Sequence, residues 1–225
     1  MWIVRDYYHN NGKNNFPSIF GSLFEMYFQE LMDTYVEKEN FEKLPECGNP
    51  RADWKLILNG HLILIEQKSS LLRLDAKQQE PNIDAMRDFV TRNIVQGLKQ
   101  LRSTEEDLNL DRCIKIVLLY EGHLKIDIMD WIIQNAGIID DGYYWLATID
   151  EIEVLLYQYK NNLPLFEAVV AEKLKLHSEK SNEGRNFEQL FHAKGMLENQ
   201  HLMQEKFEYY NRLAEKEAEQ RLKSH

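Results

Sequence analysis

A chain of 225 residues with a net charge of −10 and 44% hydrophobic residues is long enough to bury a full core in one domain and carries nothing resembling a membrane span or signal peptide. Its two cysteines, Cys47 and Cys113, are too few for a disulfide framework, so a reducing, cytoplasmic setting is expected. No CxxC or HExxH spacing occurs among the cysteines and seven histidines, which argues against a zinc site.

In chain order, a first helix is expected over residues 18–37, with Ser18 as N-cap after Pro17 and Phe20, Leu23, Phe24, Phe28, Leu31 and Tyr35 at helical spacing. Glu25 lies within it. Residues 51–68 read as a hairpin, because Asn59-Gly60 between two apolar runs suits a two-residue type I′ turn. That turn sets the register: Leu58 opposite His61, Lys55 opposite Leu64, Asp53 opposite Glu66. Asp53, Glu66 and Lys68 then share one face, while Trp54, Leu56, Leu58, Ile63 and Ile65 make the other face apolar and in need of a packing partner.

A second helix is expected over 84–101, with Phe89, Ile94, Leu98 and Leu101 apolar and Gln96 and Gln100 one turn apart on one face. Residues 113–120 suit a buried strand and 143–148 another, so the fold class is α/β, a small mixed sheet between helices. Thr148-Ile-Asp-Glu151 has the form of a capping box, leading into Ile152, Leu155, Leu156 and Tyr159. A helix restarts at Asn162-Leu-Pro164, with Phe166, Val169, Val170 and Leu174 as its stripe. Residues 178–185 read as a linker, and 186–223 as a charged helix whose thin apolar stripe needs support. The expected organisation is a core over 1–150, a helical appendage packed on it over 151–177, and a linker with a charged C-terminal helix over 178–225.

The hairpin carries the chemistry. Carboxylates opposed across two strands repel unless a cation lies between them. A hard divalent ion such as Mg²⁺ resolves this, since it binds through one or two carboxylates and keeps waters for substrate phosphates. Lys68, two residues beyond Glu66, is placed to orient an attacking water or to offset transition-state charge. Taken alone, the hairpin reads equally well as a surface element in which Lys55 or Lys68 pairs with solvated carboxylates.

Asp53, followed after twelve intervening residues by Glu66-Gln67-Lys68 and bracketed by helices bearing Glu25 and Gln96, resembles the PD-(D/E)XK nuclease superfamily over roughly residues 16–150. The family's proline before the aspartate is replaced by Ala52. The resemblance implies a restriction-endonuclease-like core, a helix, a three-stranded meander, a helix and a further strand, here with a C-terminal helical extension. It implies a metal-dependent phosphodiesterase using Mg²⁺ or Mn²⁺, with Asp53 and Glu66 as ligands, the Gln67 carbonyl as a further ligand, Glu25 reaching the metal through water, and Lys68 orienting the nucleophile. Gln96 is the first candidate for supporting substrate and Gln100 the second; two polar surface residues are the plain alternative. Restriction, repair, recombination or prokaryotic antiviral defence are the contexts the family implies.

Net acidity opposes binding to a polyanion. Yet residues 68–102, which include Arg73 and Arg92, carry seven Lys or Arg against four acids, whereas 103–177 carry six against fourteen. Nucleic acid is the expected partner, DNA more than RNA as the resemblance implies, contacted from the 68–102 stretch with Arg73 and Arg92 as substrate-binding candidates. The C-terminal helix is expected to dock on its own core, on a second copy or on another protein. The competing function is a nuclease-fold module without turnover that binds protein partners in a larger complex.

Overall fold

An apolar hairpin face and a strand run that is apolar on both sides require a sheet covered by helices above and below. The computed structural model describes residues 16–45, 51–70, 83–120, 132–133, 137–138, 141, 143–178 and 187–195, and it has that arrangement. The elements are α1 (Phe16–Tyr35), a 3-10 turn (Lys38–Asn40), β1 (Phe41–Lys43), β2 (Trp54–Leu58), β3 (His61–Lys68), α2 (Ile83–Phe89), a π-helical stretch (Val90–Val95), α3 (Gln96–Asp107), β4 (Ile114–Leu119), β5 (Tyr144–Thr148), α4 (Ile149–Asn161), α5 (Leu163–Ser178) and α6 (Phe187–Ala193). The five strands lie in the order β1-β2-β3-β4-β5. β1, β2 and β3 pair antiparallel, and β3, β4 and β5 pair parallel.

The turn chemistry sets the hairpin as expected. Asn59 and Gly60 both hold positive φ, 47° and 83°, and the register runs from Leu58 opposite His61 to Trp54 opposite Ile65. The expected continuation, Asp53 directly opposite Glu66, does not occur. The Asp53 N–H donates to the carbonyl of Ile65, the residue already paired with Trp54, at 3.0 Å. Two residues of one strand thus stand against one of the other, a bulge that re-aims Asp53.

One face of the sheet presents Trp54, Leu56, Leu58, Ile63, Ile65, Ile116, Leu118 and Trp145 to α1, α4, α5 and α6. The other presents Leu64, Val117, Leu119 and Tyr144 to α2, the π-helical stretch and α3. α4 and α5 thereby form part of a covering layer, with Ile152, Leu155, Phe166 and Val169 buried in the same cluster as Trp54. The capping box is present: Thr148 Oγ1 accepts the Glu151 N–H, and the Glu151 carboxylate accepts the Thr148 N–H. Glu151 also accepts the Phe187 N–H at 2.9 Å, which ties α6 to the start of α4.

Several expected boundaries shift. Phe16 and Pro17 are already helical, so Ser18 lies inside α1 and is not its N-cap. Leu23 leaves the apolar stripe and is 56% exposed beside Ile19 and Met26, because a step of 100° per residue turns these three away from buried Phe24, Phe28 and Leu31. The second helix is interrupted by a π-helical stretch, which suits the five-residue step between buried Phe89 and Ile94, and it continues to Asp107 because Thr104 and Glu105 extend its buried face. β1, only three residues long, was not located from the sequence, although the resemblance implies a third antiparallel strand. Of the expected charged C-terminal helix only α6, Phe187–Ala193, lies among the described residues, followed by Gly195 at φ 86° in the left-handed region. The linker beyond Ser178 and the segment beyond Gly195 lie outside the described residues. Among the described residues no helix is long and apolar enough to cross a membrane.

Candidate active site

β3 alternates its side chains between the two covering layers, so Glu66 and Lys68 emerge with Leu64 on the α3 side and Gln67 emerges toward α1. Glu66 is 2% exposed, and its Oε2 is buried with no hydrogen-bond partner among the described residues. Its Oε1 accepts from Lys68 Nζ at 2.6 Å, and the same ammonium donates to Gln100 Oε1 at 2.8 Å. Gln100 completes its amide by donating to the Arg51 carbonyl at 3.3 Å.

Asp53 is held by its backbone: its N–H bonds Ile65, its carbonyl accepts from Leu44 N–H at 2.8 Å, and its Oδ2 accepts the Gln67 N–H at 2.7 Å. The Gln67 side chain accepts from the Trp54 indole at 2.6 Å and donates to the Phe24 carbonyl at 3.4 Å, which fastens β3 to α1 one residue before Glu25. Glu25 is half-exposed and ion-paired with Lys43 of β1.

Two neighbouring carboxylates, one of them buried, resist ionising together. Burial and the nearby Asp53 charge push the Glu66 carboxyl up to about 7, against the opposing pull of Lys68 and of the Gln100 amide. Burial likewise raises Asp53; the Gln67 N–H and Lys68 draw it down, and Glu25 adds to the rise. Glu66 is therefore a buried acid beside a second acid and bonded to a lysine, with one oxygen that meets no hydrogen-bond partner among the described residues. Asp53 and Glu66 are the residues here that could hold an ion with oxygen preference. Among the described residues no group of three or more His, Cys, Asp or Glu side chains is arranged to hold a metal. A Mg²⁺ site needs only one or two carboxylates.

The remaining candidates separate. Gln100 touches Lys68, whereas Gln96, one turn earlier, is exposed. The packing of α3 decides between two residues that the sequence leaves equivalent. Arg92 is exposed and paired with Asp88 at 3.5 Å, and Arg73 lies outside the described residues. Lys43, Thr104 and Gly97 are additional residues that sequence reasoning missed. Lys43 belongs to the strand not located from the sequence, Thr104 lies beyond the expected helix end, and Gly97 approaches Glu66 only through the helix-to-sheet packing.

A second polar cluster occupies the opposite end of α3. Lys115 is fully buried and saturated by Glu105 at 2.7 Å, Asp141 at 2.8 Å and the Cys113 carbonyl at 3.2 Å, with its ammonium 4.6 Å from the Tyr144 ring centre. A cavity of about 730 Å³ opens there, lined among others by Arg102, Glu105, Glu106 and Asp141. Its ammonium has no donor left for a ligand, so the candidate chemistry stays with Glu66. A scan against family models finds no match, and comparisons with curated proteins and with solved structures find none either.

Proposed function

We propose that this chain is a divalent-metal-dependent nuclease that hydrolyses phosphodiester bonds, in DNA rather than RNA, on a restriction-endonuclease-like core. The observation that carries the reading is Glu66: a buried carboxylate bonded to Lys68 and raised by Asp53, with a second oxygen that has no hydrogen-bond partner among the described residues. Burying a charge this way is costly unless something pairs with it. The order α1, three antiparallel strands, α2 to α3, then a parallel β4 is also the element order that the nuclease resemblance implies.

In this reading Asp53, Glu66 and the Gln67 carbonyl hold Mg²⁺ or Mn²⁺, and Glu25 reaches it through water. A bound ion would lower the pKa of a water and neutralise charge on the phosphate. Lys68, steadied by Gln100, orients the nucleophile and donates to developing negative charge. Glu66 is buried from bulk solvent, which strengthens the interactions its carboxylate makes.

Purified protein with Mg²⁺ or Mn²⁺ is expected to cut DNA, and Glu66→Ala or Lys68→Ala to reduce cleavage by at least about a hundredfold. Undiminished cleavage in both variants would refute the assignment. A second reading, a nuclease-fold module without turnover that binds protein partners, draws on the exposed Ile19, Leu23 and Met26 stripe of α1 and on the net charge of −10. Calorimetric titration separates the two, because only the nuclease should bind Mn²⁺ in a manner lost on Glu66→Ala.

A further inference from the structure

Asp53 stands at a bulge, where the strand ladder alone does not set the direction of its side chain. Its Oδ2 accepts the Gln67 N–H at 2.7 Å, and the two residues before it are gripped by one face of α3. Gln100, Thr104 and Asp107, spaced four and three apart, lie on that face. Gln100 Nε2 donates to the Arg51 carbonyl at 3.3 Å, Thr104 Oγ1 accepts the Ala52 N–H at 2.7 Å, and Asp107 Oδ2 lies 3.4 Å from Arg51 Nη2. Ala52 and Thr104 are both buried, so water does not replace the hydroxyl there.

We propose that Thr104 is a positioning residue: by accepting the Ala52 N–H it holds residues 51–53 against α3 and so fixes where Asp53 stands relative to Glu66. The inference rests on the metal-site reading of Asp53 and Glu66. Thr104 is suited to the task because its own hydroxyl hydrogen is committed to the Gln100 carbonyl at 2.8 Å, which turns a lone pair toward Ala52. The same Gln100 accepts from Lys68, the partner of Glu66. One turn of α3 therefore references both halves of the site, the Asp53 side through Thr104 and the Glu66 side through Gln100. Valine reproduces the shape of threonine and cannot accept the bond.

The test is Mn²⁺ binding by calorimetry on the full chain, at a temperature where circular dichroism shows each variant folded. Thr104→Val and Thr104→Ala are expected to bind about tenfold or more weakly, as outer partners of metal ligands do when lost, and Thr104→Ser to stay within about threefold of the wild type. Val169→Ala truncates the core on the opposite face of the sheet and is expected to lose stability while keeping its Mn²⁺ affinity. If Thr104→Val does not fold, Thr104→Ala read against Thr104→Ser carries the same comparison. Wild-type affinity in the Val and Ala variants overturns the positioning role, as does an equal weakening in Val169→Ala. Absence of any Glu66-dependent Mn²⁺ binding in the wild type overturns the metal site itself, and this role with it.

Discussion

Glu66 is ionised at the expense of stability. Its carboxyl titrates near 7 in the folded chain, against an ordinary value of 4.5, chiefly through burial. Between those values the folded state keeps a proton that the unfolded state has released, so stability falls as pH rises through the window. Glu66→Gln removes this dependence. In chelator-containing buffer the variant is expected to match the wild type near pH 4.5 and to exceed it at pH 8 by up to about 3 kcal/mol, read from urea denaturation. A difference that stays flat with pH would contradict the assigned cause. At this scale the sequence was highly legible: the Asn59-Gly60 turn and the alternation after it place Glu66 and Lys68 on one face. What it left open was contact through space, such as Gln100 rather than Gln96 against Lys68, because two glutamines one turn apart differ only in how deep the helix seats.

Helix α3 seats deeply because of Gly97. A methyl group there would stand 3.1 and 3.3 Å from the two Val117 methyls and 3.4 Å from Glu66 Cγ. Alanine at an ordinary helical position gains about 1 kcal/mol over glycine. Here the neighbours must yield, and overpacking a dense core costs about 1–3 kcal/mol. Gly97→Ala is therefore expected to destabilise by about 1 kcal/mol in chemical denaturation, the opposite sign from propensity alone. A stabilised variant would show that α3 is less closely seated than described. Element positions were readable where local chemistry is strong, as in the hairpin turn and the Thr148–Glu151 capping box. They were unreadable where pairing with a distant strand creates the element, as with the three residues of β1, or where a π-helical stretch rephases a helix.

Across the molecule, one sheet separates two apolar layers, and α4 to α6 belong to the same buried cluster as the hairpin. Because both layers pack on the same strands, they should lose structure together. Leu98→Ala on one face is expected to destabilise the fold by about 2–5 kcal/mol and Val169→Ala on the other by less, each lowering the midpoint of a single shared unfolding transition. Two separated transitions, by fluorescence and circular dichroism, would mean that α4 to α6 form an independent unit. The acidity of residues 103–177 is partly drawn inward, since Glu105, Glu151 and Glu153 are buried, so formal charge overstates the repulsion at the surface.

The sequence by itself determined the turn, the register through Trp54 and Ile65, the amphipathic faces and the pairing of Glu66 with Lys68 on one side of a strand. Those features depend on backbone preferences and on a side-chain period of two, both of which act over a few residues. Tertiary structure alone decided the bulge that re-aims Asp53, the grip of Gln100 and Thr104 on residues 51 and 52, and the burial that raises Glu66. These depend on how closely a helix approaches a sheet some fifty residues away in the chain. That distance is set by the whole of the packing, and here by the lack of a side chain at Gly97.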